Sequence, residues 1–119
     1  TAILLGLSSM VCTIERQQAL FKKTQRLFLQ LGYRPKKHIF GDGYKGLPTE
    51  APFDRIIVTA GAPVVPKPLL NQLTIGGKLV IPIGEKEQIM TRFIRTSKTS
   101  FDKEEFGRFR FVPLLENKN

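Results

Sequence analysis

The sequence holds one cysteine and one histidine, and no apolar run in it approaches the ~20 residues needed to span a bilayer. A lone cysteine excludes an internal disulfide and fits a reducing compartment, so a cytoplasmic location is expected. Ala2 to Leu7 is too short for a signal-peptide core; no basic region precedes it and no A-x-A-like site follows. The histidine, His38, has no cysteine or acidic motif at ligand spacing, so no metal site is expected and it reads as structural or surface. Cys12, inside an extended run, reads as a small buried apolar residue rather than a nucleophile.

Acidic residues are also scarce: 10 against 19 lysines and arginines, a formal charge of +9. Such a balance suits a polyanionic partner or anionic substrates gathered by the field. Only Arg34 to Lys37 cluster, however, and the other basic residues are scattered, which argues against a nucleic-acid interface. What remains is ordinary for a globular chain: 119 residues, 41% hydrophobic and 24% charged, enough for one domain over residues 1–119 with one core.

The organising stretch is Phe53 to Pro63. Ile56-Ile57-Val58 is β-branched without alternation, as in a strand buried on both faces, and is expected in the middle of a sheet. The small residues after it leave the backbone open at the strand end, where open α/β sheets bind ligands, so Thr59 to Pro63 is expected to form one wall of a site. Upstream, Thr1 to Ser8 reads as the last turns of a helix, ended by Gly6 and Ser8-Ser9. Met10 to Ile14 is a strand finishing in Glu15-Arg16. Gln17 to Leu31 is a helix with Leu20, Thr24, Leu27, Phe28 and Leu31 on one face and Gly32 as its left-handed cap.

Lys37 to Phe40 is a short strand entering Gly41-Asp42-Gly43. Downstream, Leu69 to Leu73 is a short helix and Lys78 to Ile83 a strand whose pairing should loosen at Pro82. Gln88 to Thr96 and Glu104 to Val112 are extended, with a turn between them, and make an antiparallel hairpin. In the second of these, Phe109 and Phe111 alternate with Arg108 and Arg110. The phenylalanines are expected in the core and the arginines in solvent, with contact to an acidic substrate the alternative. Residues Glu116 to Asn119 read as a polar tail. Alternating strands and helices imply a parallel sheet, with the hairpin closing one edge.

Two acids stand at strand ends. Glu15 suits ribose hydroxyls, since a carboxylate accepts two protons, or is simply a solvated or helix-starting residue; the glycine-rich loop that should precede a ribose-binding acid by about 20 residues would fall before Thr1. Asp42, between two glycines, could accept from an exocyclic amine or simply make a turn.

Taken together, Cys12 to Arg16 (CTIER), Gly41 to Gly43 (GDG), Pro52 to Ala60 (PFDRIIVTA), Gly76 to Gly84 (GGKLVIPIG) and Arg110 to Leu114 (RFVPL) resemble the protein-L-isoaspartate O-methyltransferases. The resemblance spans nearly the whole chain, in order. It implies a Rossmann-like α/β methyltransferase sheet, mostly parallel, with a C-terminal antiparallel hairpin and incomplete at its N-terminus. It implies S-adenosylmethionine as methyl donor and isoaspartyl proteins and peptides as acceptors, methylated on the α-carboxyl. It places Glu15 at the cofactor ribose, Asp42 and Gly43 at adenine, Arg16 among the cofactor-binding residues, and Thr59, Ala60, Gly61, Ala62, Val112 and Pro113 along the peptide cleft. No catalytic side chain is assigned. A carboxylate is already ionised at neutral pH and needs no general base.

The family's first strand, glycine loop and a serine-containing substrate loop have no counterpart here. The chain alone is therefore expected to be inactive, to bind cofactor weakly and to expose apolar edges that favour self-association. A methyltransferase acting on RNA and a non-enzymatic binding remnant are the alternatives; Thr-Ala-Gly-Ala in place of an Asn/Asp-Pro-Pro-Tyr/Phe-type motif argues against base methylation.

Overall fold

A computed structural model of the chain describes residues 1–8 and 10–119. The chain divides into two compact units, residues 1–43 with 116–119, and residues 44–115.

The first unit contains α1 (Ala2–Leu7), β1 (Cys12–Glu15), α2 (Gln18–Leu31) and β2 (Lys37–Phe40). Ser8 caps α1, its N–H reaching the Leu4 carbonyl; the part of the expected terminator at Ser9 lies outside the described residues. Strands β1 and β2 pair in parallel from Cys12 opposite Lys37 to Glu15 opposite Phe40. Gly32 ends α2 at φ 73°, the left-handed conformation that glycine adopts without a Cβ penalty. The inward face of α2 differs from the expected one. Phe28 is buried and Phe21 and Thr24 half-buried, whereas Leu20, Leu27 and Leu31 are exposed. The aromatic partner on β2 accounts for this: the His38 ring lies 4.3 Å from that of Phe21 and 5.1 Å from that of Phe28. Cys12 is half-buried in β1.

The second unit follows a short 3-10 turn (Gly43–Lys45) and contains β3 (Phe53–Ile57), α3 (Lys67–Asn71), β4 (Leu73–Ile83), β5 (Gln88–Arg95) and β6 (Phe101–Phe109). Its sheet has the order β3-β4-β5-β6. β3 and β4 are parallel and joined through α3, while β4-β5 and β5-β6 are antiparallel. The parallel β-α-β unit and the closing hairpin both match the expectation. Residues Ala62, Leu69, Leu73, Leu79, Ile81 and Phe93 form the core, with Ile56, Val58 and Leu114 packed against it.

Three expectations need correction. β3 is the outer strand of its sheet rather than the middle one, and Ile57 is 56% exposed. An apolar β-branched run records what can be buried, not how many strands flank it; among the described residues only β4 pairs with β3. Pro82 does not loosen the ladder: it stays opposite Met90, and pairing runs on to Ile83 opposite Ile89. Its carbonyl accepts the Ala62 N–H, so the missing N–H points to that side too and β5 loses no hydrogen bond. Finally, β6 ends at Phe109, a bulge with Gly107 at φ 136° interrupts its alternation, and Phe109 is left half-exposed rather than in the core.

Candidate functional site

In the first unit, the parallel pairing sets the ends of β1 and β2 side by side, and the Gly41 N–H binds the Glu15 carbonyl at 3.0 Å. Glu15 and Asp42 therefore emerge from the carboxyl ends of adjacent parallel strands, both half-buried. One Glu15 carboxylate oxygen, Oε1, accepts the Gln17 N–H at 2.8 Å, which fixes the side chain over the start of α2. Arg16 donates Nε–H to the Asn117 carbonyl at 2.9 Å, and Asp42 Oδ2 accepts the Asn117 N–H at 3.1 Å. Gly43 opens the 3-10 turn that follows. The C-terminal residues read as a polar tail are thus bound to this edge. The Asn119 N–H and carbonyl pair with the Arg16 carbonyl and Gln18 N–H, and the Lys118 ammonium sits 4.9 Å from the Phe40 ring centre. Burial lowers the pKa of His38, and the negative charge of Glu15 opposes the shift in part.

In the second unit, the small-residue loop after β3 is stitched into a short ribbon. Ala62 donates to the Pro82 carbonyl and accepts from the Gly84 N–H, at 2.9 and 2.8 Å. Gly61 donates to Val112 and accepts from Leu114, both at 2.8 Å, a parallel bridge centred on Pro113. Gly61, Ala62, Val112 and Pro113, grouped on resemblance alone, are thereby brought together across some fifty residues of sequence. Ala62 is fully buried and anchors the loop in the core, while Val112 is 71% exposed. In these bonds Gly61 and Ala62 spend their N–H groups on protein carbonyls. Arg108 and Arg110 are exposed as expected, Arg108 lying 3.9 Å from Glu87.

Two buried amides escaped the sequence reading. Gln88, only 1% exposed, accepts the Phe111 N–H at 2.6 Å and donates to the Glu85 carbonyl at 2.9 Å. Gln72 accepts the Leu47 N–H and donates to the Lys45 carbonyl, each at 2.8 Å. Each lies against a glycine with no room for a Cβ, Gly61 and Gly46 respectively. The readable signal was faint: Gln72 stands between α3 and β4, and Gln88 opens β5.

Among the described residues, no group of three or more His, Cys, Asp and Glu could hold a metal ion, and no helix is long and apolar enough to cross a membrane.

Parallel strands joined through helices place the chain in the α/β class of proteins. The particular family follows from the sequence as a whole. The model of the protein-L-isoaspartate(D-aspartate) O-methyltransferase family matches residues 1–119, and the chain belongs to that family. It is 64% identical over all 119 residues to the protein-L-isoaspartate O-methyltransferase of Flavobacterium johnsoniae, covering 56% of that protein. It is 44% identical over 116 residues, 97% of the chain, to that of Paracoccus denitrificans, covering 54% of it. The chain thus spans about half the length of the curated relatives it matches.

Among solved structures, a protein-L-isoaspartate O-methyltransferase superposes with a TM-score of 0.81 at 27% identity, over 92% of this chain and 35% of that one. A second, a putative protein-L-isoaspartate O-methyltransferase from Plasmodium falciparum in complex with S-adenosyl-L-homocysteine, gives 0.77 at 25% identity, over 91% of this chain and 53% of that one. The fold is Rossmann-like α/β.

Proposed function

We propose that the chain is part of a protein-L-isoaspartate O-methyltransferase, moving a methyl group from S-adenosylmethionine to the α-carboxyl of L-isoaspartyl residues in damaged proteins and peptides. The observation that carries this is the family match over residues 1–119. Residues 1–119 are read as belonging to one methyltransferase domain of a cytoplasmic enzyme.

The residues of the first unit fit the nucleoside half of the cofactor. Glu15 and Asp42 are acceptor carboxylates at adjacent strand ends, suited to ribose hydroxyls and to the adenine amine respectively. Gly43 lets the backbone approach closely, and Arg16 holds the edge through Asn117. When bound, S-adenosylmethionine supplies a methyl group activated by a sulfonium. In the second unit, Thr59 to Ala62 with Val112 and Pro113 form the wall assigned to the isoaspartyl peptide. Backbone N–H groups near Ala60 are read as the donors that orient its carboxylate. That acceptor is ionised at neutral pH, so the residues' work is alignment and exclusion of water, not proton removal. The positive net charge favours an anionic acceptor.

The test is transfer of labelled methyl to an isoaspartyl peptide and to its normal-aspartyl twin. It would use this chain and a version extended upstream in its own reading frame. Base-labile methyl ester formed by the extended version on the isoaspartyl peptide alone is the expected result. No transfer by that version would overturn the proposal.

A further inference from the structure

The segment that would line the peptide cleft is held by a side chain to which no role has been given. Phe111 to Leu114 lies beyond the end of β6, and its two middle residues are exposed. It keeps its place through both flanks. At the far flank, Leu114 packs on the core, its N–H binds the Gly61 carbonyl, and its own carbonyl accepts the Tyr44 hydroxyl at 3.2 Å. At the near flank, the Phe111 N–H binds Gln88 Oε1 at 2.6 Å.

The Gln88 amide is held in turn. Its Nε2 donates to the Glu85 carbonyl, which fixes the rotation of the amide and hence the direction of Oε1. Gly61 presses on its other side: a Cβ there would stand 2.7 Å from three atoms of the Gln88 side chain. One buried amide therefore touches the β4-β5 turn, the small-residue loop and the segment after β6. Packing alone would be served as well by a methionine or leucine, because burying an amide costs free energy unless both ends are paired. Here both ends are paired, and each partner is backbone, so the amide supplies direction as well as bulk.

We propose that Gln88 is a positioning residue of the acceptor cleft: it sets Val112 and Pro113 against Gly61 at the spacing that receives the isoaspartyl peptide backbone. The inference rests on the function proposed above. Gln88 touches no reacting atom; it acts through Phe111 and Gly61.

The experiment compares Gln88→Met with the unsubstituted protein in the upstream-extended version, by steady-state methyl transfer and by binding of S-adenosyl-L-homocysteine. Losing two paired bonds while keeping the length should raise KM for the isoaspartyl peptide about tenfold or more. The kcat should stay within about twofold and the S-adenosyl-L-homocysteine Kd should be unchanged. An unchanged KM overturns the proposal; so does a joint loss of kcat, KM and cofactor binding, the signature of general damage.

Amide hydrogen exchange gives an arm independent of activity. In Gln88→Met the Phe111 and Leu114 amides should exchange about tenfold faster or more, while those of β4 keep their protection. If the unsubstituted version transfers no methyl, the function proposal fails, and Gln88 is then judged by this arm. Unaltered protection at Leu114 would overturn the positioning role as well.

Discussion

Asp42 Oδ2 accepts the backbone N–H of Asn117 at 3.1 Å, across 75 residues of sequence. Arg16 holds the carbonyl of the same residue through its Nε–H. Two residues that the family resemblance assigns to the cofactor are thus already ordered by the C-terminal tail. A carboxylate fixed before its ligand arrives loses less rotamer entropy on binding. The tail is part of the framework of this edge, although its composition reads only as polar.

Asp42→Ala should therefore weaken S-adenosyl-L-homocysteine binding in the upstream-extended version by about ten- to a hundredfold, the range for hydrogen bonds to a charged acceptor. Titration calorimetry would read this directly. An unchanged Kd would move the adenine contact away from Asp42.

Gly61→Ala should destabilise the second unit. The added Cβ would meet Cγ, Cδ and Nε2 of Gln88 at 2.7 Å, and Gln88 is fully enclosed. Overpacking of this kind costs about 1–3 kcal/mol. A urea midpoint equal to that of the unsubstituted chain would show that the Gln88 side chain can turn aside without loss.

Much of the fold was legible because it rests on local chemistry. Lys37 to Phe40 forms a strand with the expected ends, and Gly32 caps α2 as its sequence position requires. Long-range choices were less so. That β3 is an outer strand depends on which strands flank it, and Ile56-Ile57-Val58 carries no record of that. The selection of Phe21 over Leu20 for the inner face of α2 depends on His38, a residue on another element. For the site, the family resemblance named Gly61 and Val112 but not the bond between them, nor the amide of Gln88 beside it. A residue that acts through backbone groups leaves no spacing pattern, and a glycine chosen for lack of a Cβ looks like any turn glycine.

Ile81→Ala should cost about 2–5 kcal/mol, the range for truncating a buried branched side chain in a packed core. Ile81 has no exposed surface and belongs to the cluster that holds Ala62, so the loss should reach the small-residue loop. Ile75→Ala, at a position 68% exposed, should change stability by no more than about 0.5 kcal/mol. Denaturant titration of both variants checks the pair. Equal effects would mean that the core is not centred on β4.

His38 should make stability fall on the acid side. Its ring is packed by Phe21 and Phe28, and burial pushes its pKa below the ordinary 6.5, with Glu15 pulling the other way. A base whose pKa is lowered by folding is better protonated in the unfolded chain. Above 6.5 neither state binds the proton and the contribution is intact. As pH drops below 6.5 the unfolded chain takes it up first, and stability declines until the folded-state pKa is passed, where the loss levels off. His38→Phe removes the titration and keeps a ring for Phe21 and Phe28. Its urea midpoint should fall less than that of the unsubstituted chain between about pH 7.5 and about pH 5.5. Glu15→Gln should do the opposite, removing the charge that favours the imidazolium and lowering the His38 pKa further. Since His38 is the one histidine in the sequence, its imidazole proton resonances report that pKa without ambiguity. A pKa at or above 6.5 in the folded chain would contradict the burial argument.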